Sequence, residues 1–299
     1  MTGGMTTTPH PELPLLGKTA LVTGVSRRAG IGFAVAVRLA ELGADVFIHH
    51  FAPHDVEQPW GGDDLAEVRA GIRRALHEGA RLGDISLDLA ADDAAETLIA
   101  AAAGLTGRID ILVCNHARSG GDGSILDMTA EVLDGHWHVN ARSTLLLTRA
   151  FALQFAGLAV GGPPRRPGES AAAALPLDEF VTGRVIWMTS GQIHGAMAGE
   201  VAYAASKAAL AGATPTVAKE LLAHGIILNT VDPGPVNTGY LDPETTDRPL
   251  DDILAMVRDT PFGRFGRPGD PARLIGWLAT DDGRWMVGQV LSSDGGFAL

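Results

Sequence analysis

Seven short apolar runs alternate with longer alanine- and leucine-rich segments along most of the chain, and this alternation limits the possible fold more than any other feature. The runs Thr19–Thr23, Asp45–His50, Asp84–Asp88, Ile109–Cys114, Arg184–Ser190, Ile226–Val231 and Val287–Leu291 have the length and composition of buried strands. Between them, Ile31–Leu42, Asp64–Glu78, Asp92–Leu105, Thr129–Phe155, Val201–His224 and Pro271–Thr280 carry helical patterns. Strands separated by helices pair in parallel. The expected fold is α/β: a single Rossmann-type doubly wound parallel sheet of seven strands with helices on both faces. A ligand then belongs at the carboxyl ends of the strands.

A chain of 299 residues suits one large domain and is short for two. Residues 15–299 are read as that domain and 1–14 as a flexible leader without the basic start or apolar core of a signal peptide. Proline and glycine mark 52–63 and 160–181 as inserted loops. A net charge of −12 argues against nucleic acid as the main partner and against anionic membrane. No apolar run approaches the roughly 18 residues of a membrane span. One cysteine, Cys114, excludes an internal disulfide, and ten histidines contain no H-E-x-x-H metal motif. A cytoplasmic protein acting on a small molecule is expected.

The first strand runs into Thr23-Gly24-Val25-Ser26-Arg27-Arg28-Ala29-Gly30-Ile31-Gly32 and then a helix. Glycines let such a turn approach a pyrophosphate closely, while the new helix offers free N–H groups to the anion. Strand before, helix after and a place in the first βαβ unit make this a dinucleotide loop. At the end of the second strand, where an acid would accept from the ribose hydroxyls of NAD(H), stand His49, His50 and Phe51. Arg27 and Arg28 lie in the adjoining loop and suit a 2′-phosphate, so NADP(H) is favoured over NAD(H); both are also readable as solvated surface charge.

The fifth strand ends at Ser190, and the helix beyond carries Tyr203 and Lys207 four residues apart, on one face. A nearby ammonium favours phenolate and lowers a tyrosine pKa from about 10. Tyr203 is thus suited to give a proton to a carbonyl oxygen as hydride arrives, and to take it back in reverse. Ser190 is placed to hydrogen-bond the same oxygen, and Lys207 to reach the nicotinamide ribose. With only two tyrosines and three lysines in the chain, a chance pairing at this spacing is improbable.

With these motifs the chain resembles the short-chain dehydrogenase/reductase family from Lys18 to Leu299, and within it the 3-oxoacyl-acyl-carrier-protein reductase-like branch. Further matching segments are Asp88-Leu89, Cys114-Asn115-His116-Ala117, Trp137-His138-Val139-Asn140, Asp232-Pro233-Gly234-Pro235-Val236-Asn237-Thr238 and Asp294-Gly295-Gly296. The resemblance implies Tyr203 as general acid/base, Ser190 as carbonyl orienter, Lys207 as ribose anchor and Asn140 as holder of a water that relays protons to Lys207. It implies cofactor contacts at Gly24, Ser26, Gly30, Ile31, Gly32, His50, Asp88, Leu89, Asn115, Pro233, Gly234, Val236 and Thr238. It also implies a homotetramer or homodimer and a substrate lid over residues 239–266.

Two departures stand out. Five residues separate Gly24 from Gly30, where the family usually has three, as in its divergent enoyl reductases. Those enzymes place six residues between their tyrosine and lysine, whereas three intervene here, so ketone reduction to a secondary alcohol, or the reverse, is preferred. Enoyl (C=C) reduction and a non-catalytic dinucleotide-binding protein are the alternatives. Cys114 and His116 also depart from the family's strand-end motif, and His116 is read as a structural or wall residue. Pocket candidates are Gln192, His194, Met197, Tyr240, Leu241 and Met256. An acidic carrier protein needs a basic dock, and the lid holds Asp242, Glu244, Asp247, Asp251, Asp252 and Asp259. A free ketone or CoA-like thioester is therefore favoured over a carrier-bound one.

Overall fold

Residues 13–158, 182–246 and 250–299 are described in the computed structural model. Seven strands form one sheet: β1 (Thr19–Val22), β2 (Asp45–His50), β3 (Leu82–Ser86), β4 (Ile111–Cys114), β5 (Gly183–Met188), β6 (Ile226–Asp232) and β7 (Val290–Ser292). Every pairing is parallel, in the order β3-β2-β1-β4-β5-β6-β7. The order reverses between β1 and β4, and at such a switch point the loops leaving the two strands part and open a crevice.

Side chains along the central strands alternate between two apolar layers. On one face Val22, Ile48 and Val113 pack with Val35 and Leu39 of α1 (Ile31–Glu41), Ile72 of α3 (Leu65–Arg73), and Ile275 and Leu278 of α9 (Gly269–Ala279). On the other, Leu21, Leu112, Trp187 and Leu228 pack with Leu98 of α4 (Ala94–Thr106), Phe151 of α6 (Ser143–Phe155) and Leu210 of α7 (Val201–Leu222). The central strands therefore carry near-continuous apolar runs, as a sheet buried on both faces requires.

Several boundaries differ from expectation for identifiable reasons. β3 starts two residues early, at Leu82, because Val46 pairs with Leu82 and Gly83 lies against the Phe47 ring, where a Cβ would come within 2.6 Å of Phe47 Cδ2. β7 starts late: Gly288 has φ +68°, and the Asn229 side-chain amide accepts from the Gln289 N–H and donates to Met286 O. The 52–63 loop contains a short helix, α2 (Ala52–Val56), and the 239–266 lid contains α8 (Leu250–Arg258). The long helix expected over Thr129–Phe155 is α5 (Ala130–His136) and α6, joined by one π-helical turn at Trp137–Arg142. Residues 160–181 and most of the 1–14 leader lie outside the described residues. No helix among the described residues is long and apolar enough to cross a membrane.

Trp187 sits fully buried on β5, its indole N–H donating to Thr148 Oγ1 at 2.9 Å. Trp187→Ala removes the largest fully buried side chain among the described residues and one of the two hydrogen bonds of that hydroxyl, so it should cost about 3–5 kcal/mol. Urea unfolding measures this, and an unchanged midpoint would place Trp187 outside the load of the core.

Candidate active site

Thr23 and Asn115 join the two strand ends at the switch point. Asn115 Nδ2 donates to Thr23 O and Gly24 O, both at 3.1 Å, and the Asn115 N–H donates to Thr23 Oγ1 at 3.0 Å. Two glycines of the turn between β1 and α1 have no space for a Cβ. Gly24 has φ +71°, and a Cβ on Gly32 would lie 2.4 Å from Gly24 O. Gly30, the N-cap of α1, provides no side-chain cap, and the first turn holds no acid. Its N–H groups and the helix dipole thus remain suited to an anion.

Two histidines brace this turn. His49 Nε2 faces Leu87 O at 2.8 Å and so carries the proton, leaving Nδ1 to accept from the Gly24 N–H at 3.3 Å. His116 Nε2 faces Val139 O at 3.0 Å, and its Nδ1 lies 2.7 Å from the Thr23 hydroxyl. Burial pushes His49 down to about 4 and His116 well below the ordinary histidine value, so both rings stay neutral braces at neutral pH. His50 turns the other way, its Nε2 3.1 Å from Asp84 Oδ2, which also pairs with Arg69. Its buried Nδ1 has no hydrogen-bond partner among the described residues.

The two arginines of the loop part company. Arg28 is exposed and held by Asp63, with Glu67 beside it. Arg27 is partly buried and crosses to the loop after β6, donating to Thr238 O at 2.7 Å. It lies over the Trp60 ring, 5.9 Å from the centroid, and Trp60 meets Tyr240 edge-on at 6.3 Å. Three loops thus close against one another above the crevice. Behind them Ser26 Oγ accepts from the Phe51 N–H.

Deeper in, Thr189 and Met188 at the end of β5 are tied to α7. The Lys207 Nζ donates to Met188 O at 3.1 Å, and the Thr189 hydroxyl donates to Lys207 O. Lys207 is 3% exposed and its Nζ lies 5.9 Å from the centre of the Tyr203 ring. Burial lowers its pKa from 10.5 to about 8. Ser190 follows directly, half-buried, its Oγ facing the Gln192 N–H at 3.4 Å. Asn140 stands on the π-helical turn; its Oδ1 accepts from Arg118 N and its Nδ2 donates to Arg118 O and Ser206 Oγ. Cys114, beneath Lys207, is fully buried and burial pushes its thiol up, away from reactivity.

The remaining expected residues scatter around this centre. Asp88 caps the Ala90 N–H from an exposed position, and Leu89 is buried beside it. Gly234 turns at φ +64° beneath Asp232 Oδ1, Pro233 precedes it, and Val236 is buried. Gln192 Nε2 is held by Glu200 and lies 3.4 Å from Met197 Sδ. His194 leans toward Asp232 and Ser292, its Nε2 3.3 Å from Ser292 Oγ. Leu241 is 4% exposed, and the Met256 side chain lies outside the described residues.

The family model described as enoyl-(acyl carrier protein) reductase matches residues 24–157 and 169–298. The chain belongs to the short-chain dehydrogenase/reductase family. An uncharacterized oxidoreductase of Bacillus subtilis, YjdA, is 32% identical over 94% of this chain and 96% of its own length. An NADPH-dependent aldehyde reductase-like chloroplastic protein of Arabidopsis thaliana is 33% identical over 96% of this chain and 97% of its own. Among solved structures, the reductase LugOII, described as promiscuous and as catalysing keto-reduction at C1 during lugdunomycin biosynthesis, is 32% identical. It superposes with a TM-score of 0.72, covering 96% of this chain and all of its own.

Within this short-chain dehydrogenase fold, three contributors escaped the sequence reading: His49, Trp60 and Asp122. His49 was recoverable, since strand alternation sends it to the face opposite His50. Trp60 and Asp122 find partners about 180 and 80 residues away, and no local spacing reports that.

Lys207 carries a testable cost. Its ammonium persists to about pH 10.5 in the unfolded chain and only to about 8 in the folded one. The folded state therefore bears the full penalty below pH 8 and is relieved of it as pH rises from 8 toward 10.5, a swing of about 3 kcal/mol. Lys207→Met should raise the unfolding temperature of the ligand-free protein by several degrees at pH 7, and the gain should shrink by pH 10. Calorimetry at the two pH values checks both halves.

Proposed function

We propose that the protein is an NADP(H)-dependent reductase of ketones, working reversibly between a carbonyl and a secondary alcohol. The observation that carries this is the buried Lys207 ammonium, set against the Tyr203 ring and anchored two residues before Ser190. Tyr203 gives its phenolic proton to the carbonyl oxygen, and Ser190 donates a hydrogen bond to that oxygen and fixes its position. Lys207 favours the phenolate that remains and holds the ribose of the nicotinamide. Asn140, tied to α7 through Ser206, supports the proton path behind Lys207.

The chain's own residues fit a dinucleotide. Gly24 and Gly32, which have no space for a Cβ, and the uncapped start of α1 border the switch point. When bound there, the nicotinamide supplies the hydride. NADP(H) is preferred because no acid ends β2 and because Arg27 lies in the glycine turn bonded to the Thr238 carbonyl, while Arg28 is already neutralised by Asp63. The NADPH-dependence in the name of the Arabidopsis relative supports the same choice. The net charge of −12 favours a free small ketone over a carrier-bound substrate.

Enoyl reduction has one point in its favour, the long Gly24–Gly30 loop, echoed by the description of the family model. The three-residue interval between Tyr203 and Lys207 speaks for the carbonyl instead.

Tyr203→Phe should lower NADPH-dependent ketone reduction about 100- to 10,000-fold with NADPH binding retained. Preserved turnover, or turnover on an unsaturated acyl thioester but on no ketone, would sink the proposal. Separately, Arg27→Ala should weaken NADPH binding about tenfold and NADH binding little, while Arg28→Ala should change neither more than about twofold. Fluorescence titration decides this, and equal effects on both cofactors would remove the arginine argument.

A further inference from the structure

The catalytic-type helix α7 is capped from far away. Its own N-cap residue, Glu200, makes no side-chain cap, so the N–H groups of the first turn need another acceptor. Asp122, in the loop after β4, supplies it. Its Oδ1 accepts from Ala202 N at 3.1 Å and its Oδ2 from Tyr203 N at 2.7 Å, with Gly123 N also on Oδ1 at 2.7 Å. The carboxylate is 5% exposed, so these are charge-assisted bonds shielded from water, and they sit at the positive end of a 22-residue helix. Behind it stands the fully buried His136, its Nε2 4.0 Å from Oδ2 and its Nδ1 donating to Val132 O.

The position of this contact matters more than its strength. A local cap would close the helix without telling it where to sit. Asp122 binds the backbone of Tyr203 itself, and its loop is fixed at two further points: Asn115 at the Gly24 turn and Arg118 at Asn140. Eight residues thus tie the cofactor turn, the Asn140 side chain and the Tyr203 backbone to one piece of chain.

We propose that Asp122 is a positioning residue for Tyr203, holding the first turn of α7 in register with the cofactor turn; this rests on the reading of Tyr203 as the proton donor. Misplacing a reacting group by about 1 Å is enough to cost a large factor in rate. Asp122 touches no substrate, and its loss acts on turnover through the tyrosine.

The test compares wild type, Asp122→Ala, Asp122→Asn and Tyr203→Phe, measuring kcat and KM for a ketone, NADPH Kd by fluorescence, and unfolding temperature. Asp122→Ala should lower kcat about tenfold or more, with NADPH Kd within about twofold. Asp122→Asn keeps one acceptor oxygen and should fall between alanine and wild type. A lowered unfolding temperature with kcat within twofold of wild type would show a merely structural cap and overturn the proposal. So would parallel loss of NADPH binding. Should the alanine variant not fold, the asparagine variant decides alone, a wild-type kcat again overturning it. Full turnover in Tyr203→Phe instead removes the reading of Tyr203 on which the inference stands, whatever Asp122 does.

Discussion

Everything in the crevice hangs on the way Thr23 is used. Its backbone N–H donates to Val113 O, its carbonyl accepts from the Asn115 amide, and its hydroxyl oxygen accepts from the N–H groups of Asn115 and His116. One residue at the end of β1 therefore fixes where β4 stops and how the chain leaves it. The bonds are buried, so losing one leaves an unpaired polar group at a penalty well above the net worth of the bond. The glycine turn inherits its shape from this knot, because Asn115 Nδ2 crowds both Gly24 and Gly32 and His116 crowds Gly24.

The knot reaches the second half of the chain through His116. Its Nε2 meets Val139 O within the π-helical turn at Trp137–Arg142, and the Ser143 hydroxyl donates to that same carbonyl. The Thr144 hydroxyl likewise serves Asn140 O. The His116 ring is thus long enough to join the first strand to the π-helical turn. It does so as an uncharged ring, which suits a position close to a buried ammonium.

The parallel sheet was visible in the chain because strands buried on both faces must be written as apolar runs, and glycines must sit where the first of them turns. Tyr203 and Lys207 were visible because helical geometry converts a spacing of four into proximity. What escaped notice was decided by partners distant in sequence. Phe47 over Gly83 moved the start of β3, the Asn229 amide accepted the Gln289 N–H just ahead of β7, and Asp63 drew Arg28 away from the groove. Asp122 carries no local signature at all, since an aspartate followed by a glycine in a loop is ordinary until the helix it caps comes into view. Helix α8 and the short α2 were hidden by prolines and charges that suit a loop equally well.

The contact from Arg27 to the loop after β6 ends on the carbonyl of Thr238, not on its side chain. A crossbar seated on backbone is indifferent to which residue occupies its far end. Position 238 can drift through evolution with the crossbar unaffected, whereas a Cβ on Gly239 would come within 3.0 Å of Arg27 Nη2 and 3.3 Å of Trp60 Cβ, so at φ +107° no side chain fits there without displacing it. The closure between these two loops therefore rests on one arginine and one glycine 212 positions apart in the sequence.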